Sequence, residues 1–302
     1  MHRHQRTEPP PPKRKIPEAF AMHTARPLHA VTKPSLPLAM LKNNFRTTVT
    51  PLDFATGKPL NSDSPVLLDL ASVAYMRDFV SRGKPWANGL DDFFSDPPKA
   101  SETRAMVGYR VATDFADTLS AWVENCESQK AEDSLLFSSP WRMYSDRAAT
   151  KWLGAHDGDE YIWRCGTAFH SLQPFIPGQG WRPCDPRFPH AICYAIDSTP
   201  FDTKNEVIRT SEFKTIVFLA LANHIKAEYN HLDSFGVTVI SFWDHDVRIV
   251  QGLVNLRTRN IDLRVSPVQH FPRGIRLQDG SVDPRFLTLL SYNCGKVNPL
   301  PK

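Results

Sequence analysis

The stretch HAICYAID, His190 to Asp197, constrains the fold most, because it is an apolar run that ends in an acidic residue. A short apolar run of this kind is typical of a strand buried inside a sheet. The segment Tyr161–Trp163 predicts a further strand. The alternation in GVTVISFWDHDVRIVQGLVNL predicts a hairpin that turns at Asp244–Asp246. The sequence therefore predicts a sheet with a buried strand near its centre.

Helical patterns flank these strands. The segment Glu102 to Cys126 carries one apolar stripe, with spacings of three and four residues: Val107, Val111, Phe115, Leu119 and Trp122. The segment FLALANHIKAEYNHL, 218–232, fits an amphipathic helix, and Asp283 to Cys294 has an acidic N-cap followed by Pro. The segment 205–218, NEVIRTSEFKTIVF, is interpreted as a strand. This order predicts a mixed α/β or α+β fold, with a central mixed sheet flanked by helices.

The amino-terminal part of the chain differs in composition from the rest. Residues 1–65 are basic and rich in Pro, which predicts a disordered or irregular segment ahead of a single globular domain at 66–302. The PKRK stretch, Pro12–Lys15, fits either a nuclear import signal or a solvated basic tail, so we expect the nucleus or the cytoplasm. Apolar runs fall short of the ~20 residues of a membrane span, so no membrane partner is expected.

Three charged residues suggest a chemical site. Asp197 ends the buried run, and Glu212 and Lys214 follow fifteen and seventeen residues later. In a strand, residues two apart share a face, so Glu212 and Lys214 would point together while Phe213 enters the core. Such carboxylates could bind Mg²⁺ or Mn²⁺ beside a scissile phosphate, an arrangement that resembles the PD-(D/E)xK nucleases. The alternative is that all three are ordinary surface charges.

Two short motifs stand out. The first is Trp163-Arg164-Cys165-Gly166, followed by a turn that closes at Gly180-Trp181. The second is Ala195-Ile196-Asp197 followed by Glu212-Phe213-Lys214-Thr215. Together they resemble the DXO family of RNA 5′-end processing enzymes. The resemblance spans roughly Glu102 to Cys294 and is carried by these motifs rather than by continuous similarity.

The resemblance implies a function in RNA 5′-end processing. Enzymes of this family remove incomplete or noncanonical caps, or pyrophosphate, from RNA, and several degrade RNA from the 5′ end. By resemblance, Arg164 would contact RNA phosphates, and Asp197, Glu212 and the Phe213 carbonyl would bind Mg²⁺ or Mn²⁺. Lys214 would lie beside the attacking water. The implied partner is an RNA 5′ end.

The chain also departs from the family pattern. No Glu lies in the fifteen residues between Trp181 and Asp197, where the family has a Gly-x-x-x-Glu motif, and position 195 is Ala instead of Glu. With fewer anionic ligands, two divalent ions repel each other too strongly to be held close together. Asp202 or Glu206 could compensate, although each is also typical of a solvated turn. The sequence therefore leaves open an active hydrolase, an inactive relative that binds RNA 5′ ends or a protein partner, and a purely structural protein.

Overall fold

The computed structural model describes residues 15–61, 63–82, 101–124, 134–143, 154–157, 161–173, 184–203 and 207–301. Several residues used in the sequence analysis lie outside these ranges. They are Pro12–Arg14 of the basic stretch, Cys126, Gly180, Trp181 and Glu206.

The described helices are as follows: α1 Glu18–Phe20, a π-helix Ala21–Ala25, α2 Arg26–His29, α3 Leu38–Phe45, α4 Val73–Ser81, α5 Arg104–Glu124, α6 Leu135–Ser138, α7 Thr210–His224 and α8 Pro284–Tyr292. The first seven strands are β1 Ser35–Pro37, β2 Thr47–Pro51, β3 Leu68–Asp69, β4 Trp141–Met143, β5 Gly154–Asp157, β6 Tyr161–Ser171 and β7 His190–Asp197. The remaining strands are β8 Val207–Arg209, β9 Ser234–Trp243, β10 Asp246–Asn255, β11 Ile261–Val265, β12 Gln269–His270, β13 Pro272–Ile275 and β14 Lys296–Val297.

A mixed sheet, to which the described residues contribute nine strands, forms the centre of the fold, and it confirms the α+β fold class. Its main order is β2-β11-β10-β9-β7-β6-β4, with β12 beside β10 and β5 beside β6. The pairs β7–β9 and β2–β11 are parallel, and the other pairs of this sheet are antiparallel. The predicted hairpin is confirmed as β9 and β10, which turn at Asp244 and His245.

Strand β7 lies inside this sheet and is buried along its whole length, as its apolar run predicts. Ile192, Tyr194 and Ile196 face a core that includes α5, whereas Ala191, Cys193 and Ala195 face a core that includes α7. The predicted helix at 102–126 is confirmed as α5, and the predicted terminal helix is confirmed as α8. The Asp283 carboxylate caps α8 by accepting from the Arg285 backbone N–H at 2.8 Å.

The prediction of a strand at 205–218 is wrong beyond Arg209, because helix α7 begins at Thr210. Glu212 is the third residue of this helix, and its Oε2 accepts from the backbone N–H of the N-cap residue Arg209 at 3.1 Å. A Glu at this position stabilises a helix start by satisfying an otherwise unpaired backbone N–H. The predicted helix at 218–232 is likewise shifted, since α7 ends at His224 and turns follow.

The described part of the amino-terminal segment is integrated into the fold, which differs from the irregular segment expected for residues 1–65. Strand β2 extends the main sheet by parallel pairing with β11, where Thr47 lies opposite Ile261. Phe20, Leu28 and Phe45 are buried in the same core as α7. The burial of these apolar side chains offsets the entropy cost of ordering a Pro-rich segment. Among the described helices, none has the length and apolar character to cross a membrane.

Candidate functional site

The candidate site lies where β7 ends and α7 begins. Asp197 is the last residue of β7, and its carboxylate is fully buried. Oδ1 accepts from the Thr199 backbone N–H at 2.8 Å, and Oδ2 accepts from the Ser211 hydroxyl. Burial raises the pKa of Asp197 above its usual value, although the charge of Arg209 and these hydrogen bonds act against the rise. The hydrogen bonds tie the end of β7 to the first turn of α7.

Glu212 forms a bidentate ion pair with Arg248 of β10. Arg248 Nε donates to Glu212 Oε1 at 2.7 Å, and Arg248 Nη2 donates to Oε2. The Glu212 side chain is fully buried, and only 8% of the Arg248 side chain is exposed. Burial alone would raise the pKa of Glu212, but the charge and hydrogen bonds of Arg248 and the charge of Arg209 lower it below its usual value. Glu212 is therefore held as a carboxylate, with each of its oxygens bound to Arg248.

Arg209 completes a buried network of two acids and two arginines. Its Nη1 donates to the Ser241 hydroxyl at 3.4 Å and to the Phe242 carbonyl at 3.2 Å. The positive charge of Arg209 acts on both carboxyls: it opposes the rise that burial causes in the pKa of Asp197, and it helps to lower the pKa of Glu212. We call Asp197, Arg209, Glu212 and Arg248 the four-charge cluster. Its formal charges cancel, as a set of buried charges requires.

Phe201 covers the two arginines of the four-charge cluster. The Arg209 guanidinium carbon lies 3.5 Å from the centre of the Phe201 ring, and that of Arg248 lies 5.0 Å from it. Such cation–π contacts stabilise a guanidinium that has lost water contacts. Phe201 is itself only 9% exposed, so the ring limits the access of solvent to the cluster.

Lys214 does not join the two acids. Consecutive helical residues are rotated by roughly 100°, so side chains two apart point in nearly opposite directions, unlike those of a strand. Lys214 Nζ donates to the His29 carbonyl at 3.3 Å and to the Val31 carbonyl at 2.7 Å. Burial lowers the pKa of this amine. Lys214 therefore anchors the amino-terminal segment after α2 instead of facing a reaction centre.

The predicted metal ligands do not fit a divalent cation in this arrangement. Both Glu212 oxygens accept from Arg248, so a positive guanidinium stands where a cation would have to bind. The Phe213 side chain packs edge-on against Phe45, with ring centres 5.4 Å apart. Its carbonyl belongs to the first turns of α7, where carbonyls accept from the backbone four residues later. The residues bind one another, and no metal-dependent step follows from their geometry.

Arg164 lies on the other face of the sheet from Asp197. Strand pairing places Trp163 opposite Asp197 and Arg164 opposite Ile196, and neighbouring residues of a strand point to opposite faces. The Arg164 side chain is exposed, and no hydrogen bond or ion pair joins it to the other residues that the structure describes. Its charge acts on Tyr109 of α5, where burial raises the pKa of the phenol and Arg164 opposes that rise. An exposed guanidinium thus lies within electrostatic range of a half-buried phenol, on which the charge of Asp197 also acts.

An open cavity of about 500 Å³ borders the four-charge cluster at Arg248. Its walls are mostly apolar and come from β2, β8 and the end of β11, with Asp202 and Thr203 at one side. Asp202, one of the two acids weighed as a compensating ligand, is exposed at this rim. Glu206, the other acid weighed as a compensating ligand, lies outside the described residues.

Sequence reasoning missed Arg209, Arg248 and Phe201, although one signal was present. Arg248 stands among Val247, Ile249 and Val250 in a predicted strand, and such a position implies a buried cation that needs an acid.

No protein-family model, curated protein or solved structure matches the chain. The resemblance to the DXO family therefore rests on the short motifs around Arg164, Asp197 and Glu212.

Proposed function

We propose that this chain is a catalytically inactive relative of the DXO-type enzymes that binds RNA 5′ ends, with Arg164 as a phosphate contact. One observation carries the choice of binding over hydrolysis. Glu212 gives both carboxylate oxygens to Arg248 in a buried ion pair. An acid held in this way cannot also serve as a ligand or a base without breaking that pair, which is costly in a buried setting.

The position of Lys214 supports the same choice. A hydrolytic lysine needs to reach the attacking water, whereas Lys214 donates to two backbone carbonyls of the amino-terminal segment. The three residues that the resemblance assigns to catalysis thus have structural partners within the fold. The active hydrolase remains the competing proposal, and activity measurements distinguish the two.

The choice of an RNA 5′ end rests on Arg164 and its surroundings. The planar guanidinium of Arg donates in a fork that matches phosphate oxygens. Arg164 is exposed and makes no ion pair with other described residues, so a phosphate would meet it without displacing a carboxylate. Tyr109 is partly exposed and lies within electrostatic range of Arg164, and aromatic rings stack on the bases of single-stranded RNA.

Binding is tested by fluorescence anisotropy with the full chain and two short RNAs that differ only in a 5′-triphosphate or a 5′-hydroxyl. We expect tighter binding of the triphosphate form, with an affinity that is unchanged by EDTA. Arg164→Ala should weaken it roughly tenfold, about 1.4 kcal/mol, as expected for one lost charge-assisted contact. Arg257→Ala is the matched control, because Arg257 is exposed in the turn between β10 and β11. Equal affinity for both RNAs, or an equal loss in the control, would overturn the proposal.

Hydrolysis is tested with end-labelled triphosphate RNA incubated with and without Mn²⁺ or Mg²⁺. We expect no released product from the wild-type chain in either case. Metal-dependent release that Glu212→Gln abolishes, while the folded fraction is unchanged by circular dichroism, would replace the binding proposal with the hydrolase.

A further inference from the structure

The cavity that borders the four-charge cluster has described walls that are mostly apolar. We call it the Arg248 cavity, and its volume of about 500 Å³ is within the range of small-molecule sites, roughly 300–1,000 Å³. Val265 and Val268 are half-buried in its walls. Pro51 and Pro267 also line it, and proline lacks a backbone N–H. The apolar surface that these residues leave open favours the burial of an apolar ligand body.

The hydroxyl groups of two wall residues are already used within the fold. The Ser266 hydroxyl accepts from the Ile249 backbone N–H at 2.9 Å and donates to the Pro267 carbonyl at 3.0 Å. The Thr50 hydroxyl donates to the Leu263 carbonyl at 3.3 Å. The protons of both hydroxyls are therefore directed at the backbone instead of at a ligand.

Arg248 supplies a largely buried donor to the cavity. Its side chain is only 8% exposed and lines the cavity. The ion pair with Glu212 uses Nε and Nη2. Among the described residues Nη1 has no hydrogen-bond partner, and this atom is not sealed from solvent. Nη1 is thus the nitrogen through which the guanidinium can donate to a ligand in the cavity.

The charges that line the cavity do not favour an anion. Arg248 and Asp202 are the charged residues of its described lining. Asp202 is an exposed acid at the rim, and Glu212 neutralises Arg248. An anion at Arg248 would place a second negative charge beside Glu212, in surroundings withdrawn from water, and such a charge is costly. A neutral acceptor meets the same N–H without this cost.

Two arginines that adjoin the lining in the sequence are also compensated. Arg209 belongs to the four-charge cluster, and Arg264 pairs with Asp262 at 3.1 Å. Lys204 and Glu206 adjoin the lining as well, and they lie outside the described residues. The described charges around the cavity thus leave no unmatched cation for an anion to bind.

We infer that the Arg248 cavity binds a small neutral molecule with an apolar ring and one carbonyl oxygen, which accepts from Arg248 Nη1. A hydrogen bond from a charged donor is stronger than one between neutral groups, so this contact would orient the ligand. The inference is independent of the proposed RNA contact, because neither Arg164 nor Tyr109 lines the cavity.

The test titrates benzylacetone, a phenyl ring linked to a methyl ketone, into the folded full-length chain with isotopically labelled valine and leucine methyl groups. We expect the methyl NMR signals of Val49, Val265 and Val268 to shift and to saturate at about 1–10 mM, as is typical of a ligand of this size. Val80 and Leu287, which line a cavity between α4 and α8, are the control signals and should not shift. A titration without saturation, or larger shifts of the control signals, would overturn the inference.

Hydrocinnamate tests the charge of the ligand, because it carries a carboxylate in place of the methyl ketone. Its dissociation constant should be at least about tenfold higher than that of benzylacetone, since Glu212 disfavours a second negative charge beside Arg248. Equal or tighter binding of hydrocinnamate would contradict a neutral ligand.

Two variants test the wall and the donor separately. Val268→Phe fills part of the cavity and should raise the dissociation constant of benzylacetone about tenfold or more. Val282→Phe is the matched control, because Val282 is a half-buried valine that lines the cavity between α4 and α8. Glu212→Leu/Arg248→Met removes the donor together with its acid, and should raise the dissociation constant about fivefold or more.

The methyl spectrum of each variant shows whether it is folded before the titration begins. The wall variant keeps the test decisive even where the paired variant does not fold. Unchanged affinity in a folded test variant, or an equal loss in Val282→Phe, would overturn the inference.

Discussion

At the scale of single residues, the Glu212–Arg248 ion pair has the strongest consequences, because both side chains are withdrawn from water. The desolvation of a buried pair offsets much of its Coulomb attraction, so the intact pair adds little net stability. The removal of one partner is different, since it leaves an uncompensated charge in the core. Each side chain of the four-charge cluster is therefore needed mainly because the others are present.

A substitution series tests this dependence. Arg248→Met should lower the free energy of unfolding by about 3–5 kcal/mol, because Glu212 then stays buried with its main partner removed. The double variant Glu212→Leu/Arg248→Met should be more stable than Arg248→Met alone. The quantities are measured by urea denaturation, with Arg257→Met as the exposed control. A loss of less than about 1 kcal/mol in Arg248→Met would contradict the buried ion pair.

At this scale the sequence indicates where the acids lie but not what they contact. The apolar run before Asp197 predicts that this residue ends a buried strand, and the structure has it there. The partner of Glu212 is 36 residues away in the sequence, so no local pattern specifies that contact. The predicted convergence of Glu212 and Lys214 depended on a strand, and the helix separates the two side chains.

At the scale of elements, α7 shows where hydrophobic periodicity fails to predict the secondary structure. Its middle turn holds the β-branched run Thr215-Ile216-Val217, which favours a strand when the segment is considered alone. The helix is instead buried on almost all sides, so it lacks the polar face by which an amphipathic helix is recognised. The predictions of the hairpin β9–β10 and of the helix α5 are confirmed, because α5 has one apolar stripe and the hairpin has two apolar runs separated by a short polar turn.

The packing of α7 on β10 depends on Gly252. A Cβ atom at this position would lie 2.3 Å from Ile216 Cγ2, so α7 could not stay as close to the sheet as it does. Gly252→Ala should therefore destabilise the fold by about 1–3 kcal/mol, as overpacking typically does. In the double variant with Ile216→Ala, the loss should be smaller than the sum of the two single losses, since the clash is removed. Strict additivity in chemical denaturation would contradict this contact.

Lys214 connects α7 to the amino-terminal segment, and this role predicts a local effect. Lys214→Met removes the donor to the His29 and Val31 carbonyls while it keeps the length of the side chain. Hydrogen exchange, measured by mass spectrometry, should become faster in peptides that cover 26–33, with little change in β9 and β10. Unchanged exchange in 26–33 would show that the amine does not hold this segment.

At the scale of the whole molecule, two buried histidines predict sensitivity to mild acid. Burial lowers the pKa of both His170 and His190 to about 3, and in His170 the charges of Lys226 and Arg142 add to the effect. The unfolded chain binds protons at these positions below the ordinary His value of about 6.5. The stabilisation from each neutral ring is thus present above about pH 6.5 and is lost as the pH falls towards 3.

The expected slope is about 1.4 kcal/mol of unfolding free energy per pH unit for each of these histidines below pH 6.5. Between pH 7.5 and 5.5, the wild type should lose about 1.4 kcal/mol more unfolding free energy than His190→Gln does. The measurement is urea denaturation at both pH values, with His270→Gln as a control because the His270 side chain is 61% exposed. Parallel pH dependence in wild type and His190→Gln would contradict a neutral, buried His190.

The ordered structure of the amino-terminal segment also depends on the whole molecule, which is why the sequence does not predict it. The order of strands and helices in the sequence correctly implied the α+β class and the central sheet. The ordering of residues 15–61 depends on the burial of Phe20, Leu28 and Phe45 against α7, a surface that exists only after the sheet has formed. Amino-acid composition indicates whether a segment can become ordered by itself, but it does not indicate a distant surface against which the segment packs.

The parallel pairing of β2 with β11 has a consequence for synthesis on the ribosome. Thr47 pairs with Ile261, which is made 214 residues later. At roughly 5–20 residues per second, the ribosome takes about 10–40 s to deliver that partner. During this interval the nascent chain carries an unmatched strand and the exposed aromatic anchors ahead of it. Chaperone protection early in translation would therefore matter more for this chain than for one whose neighbouring strands are consecutive.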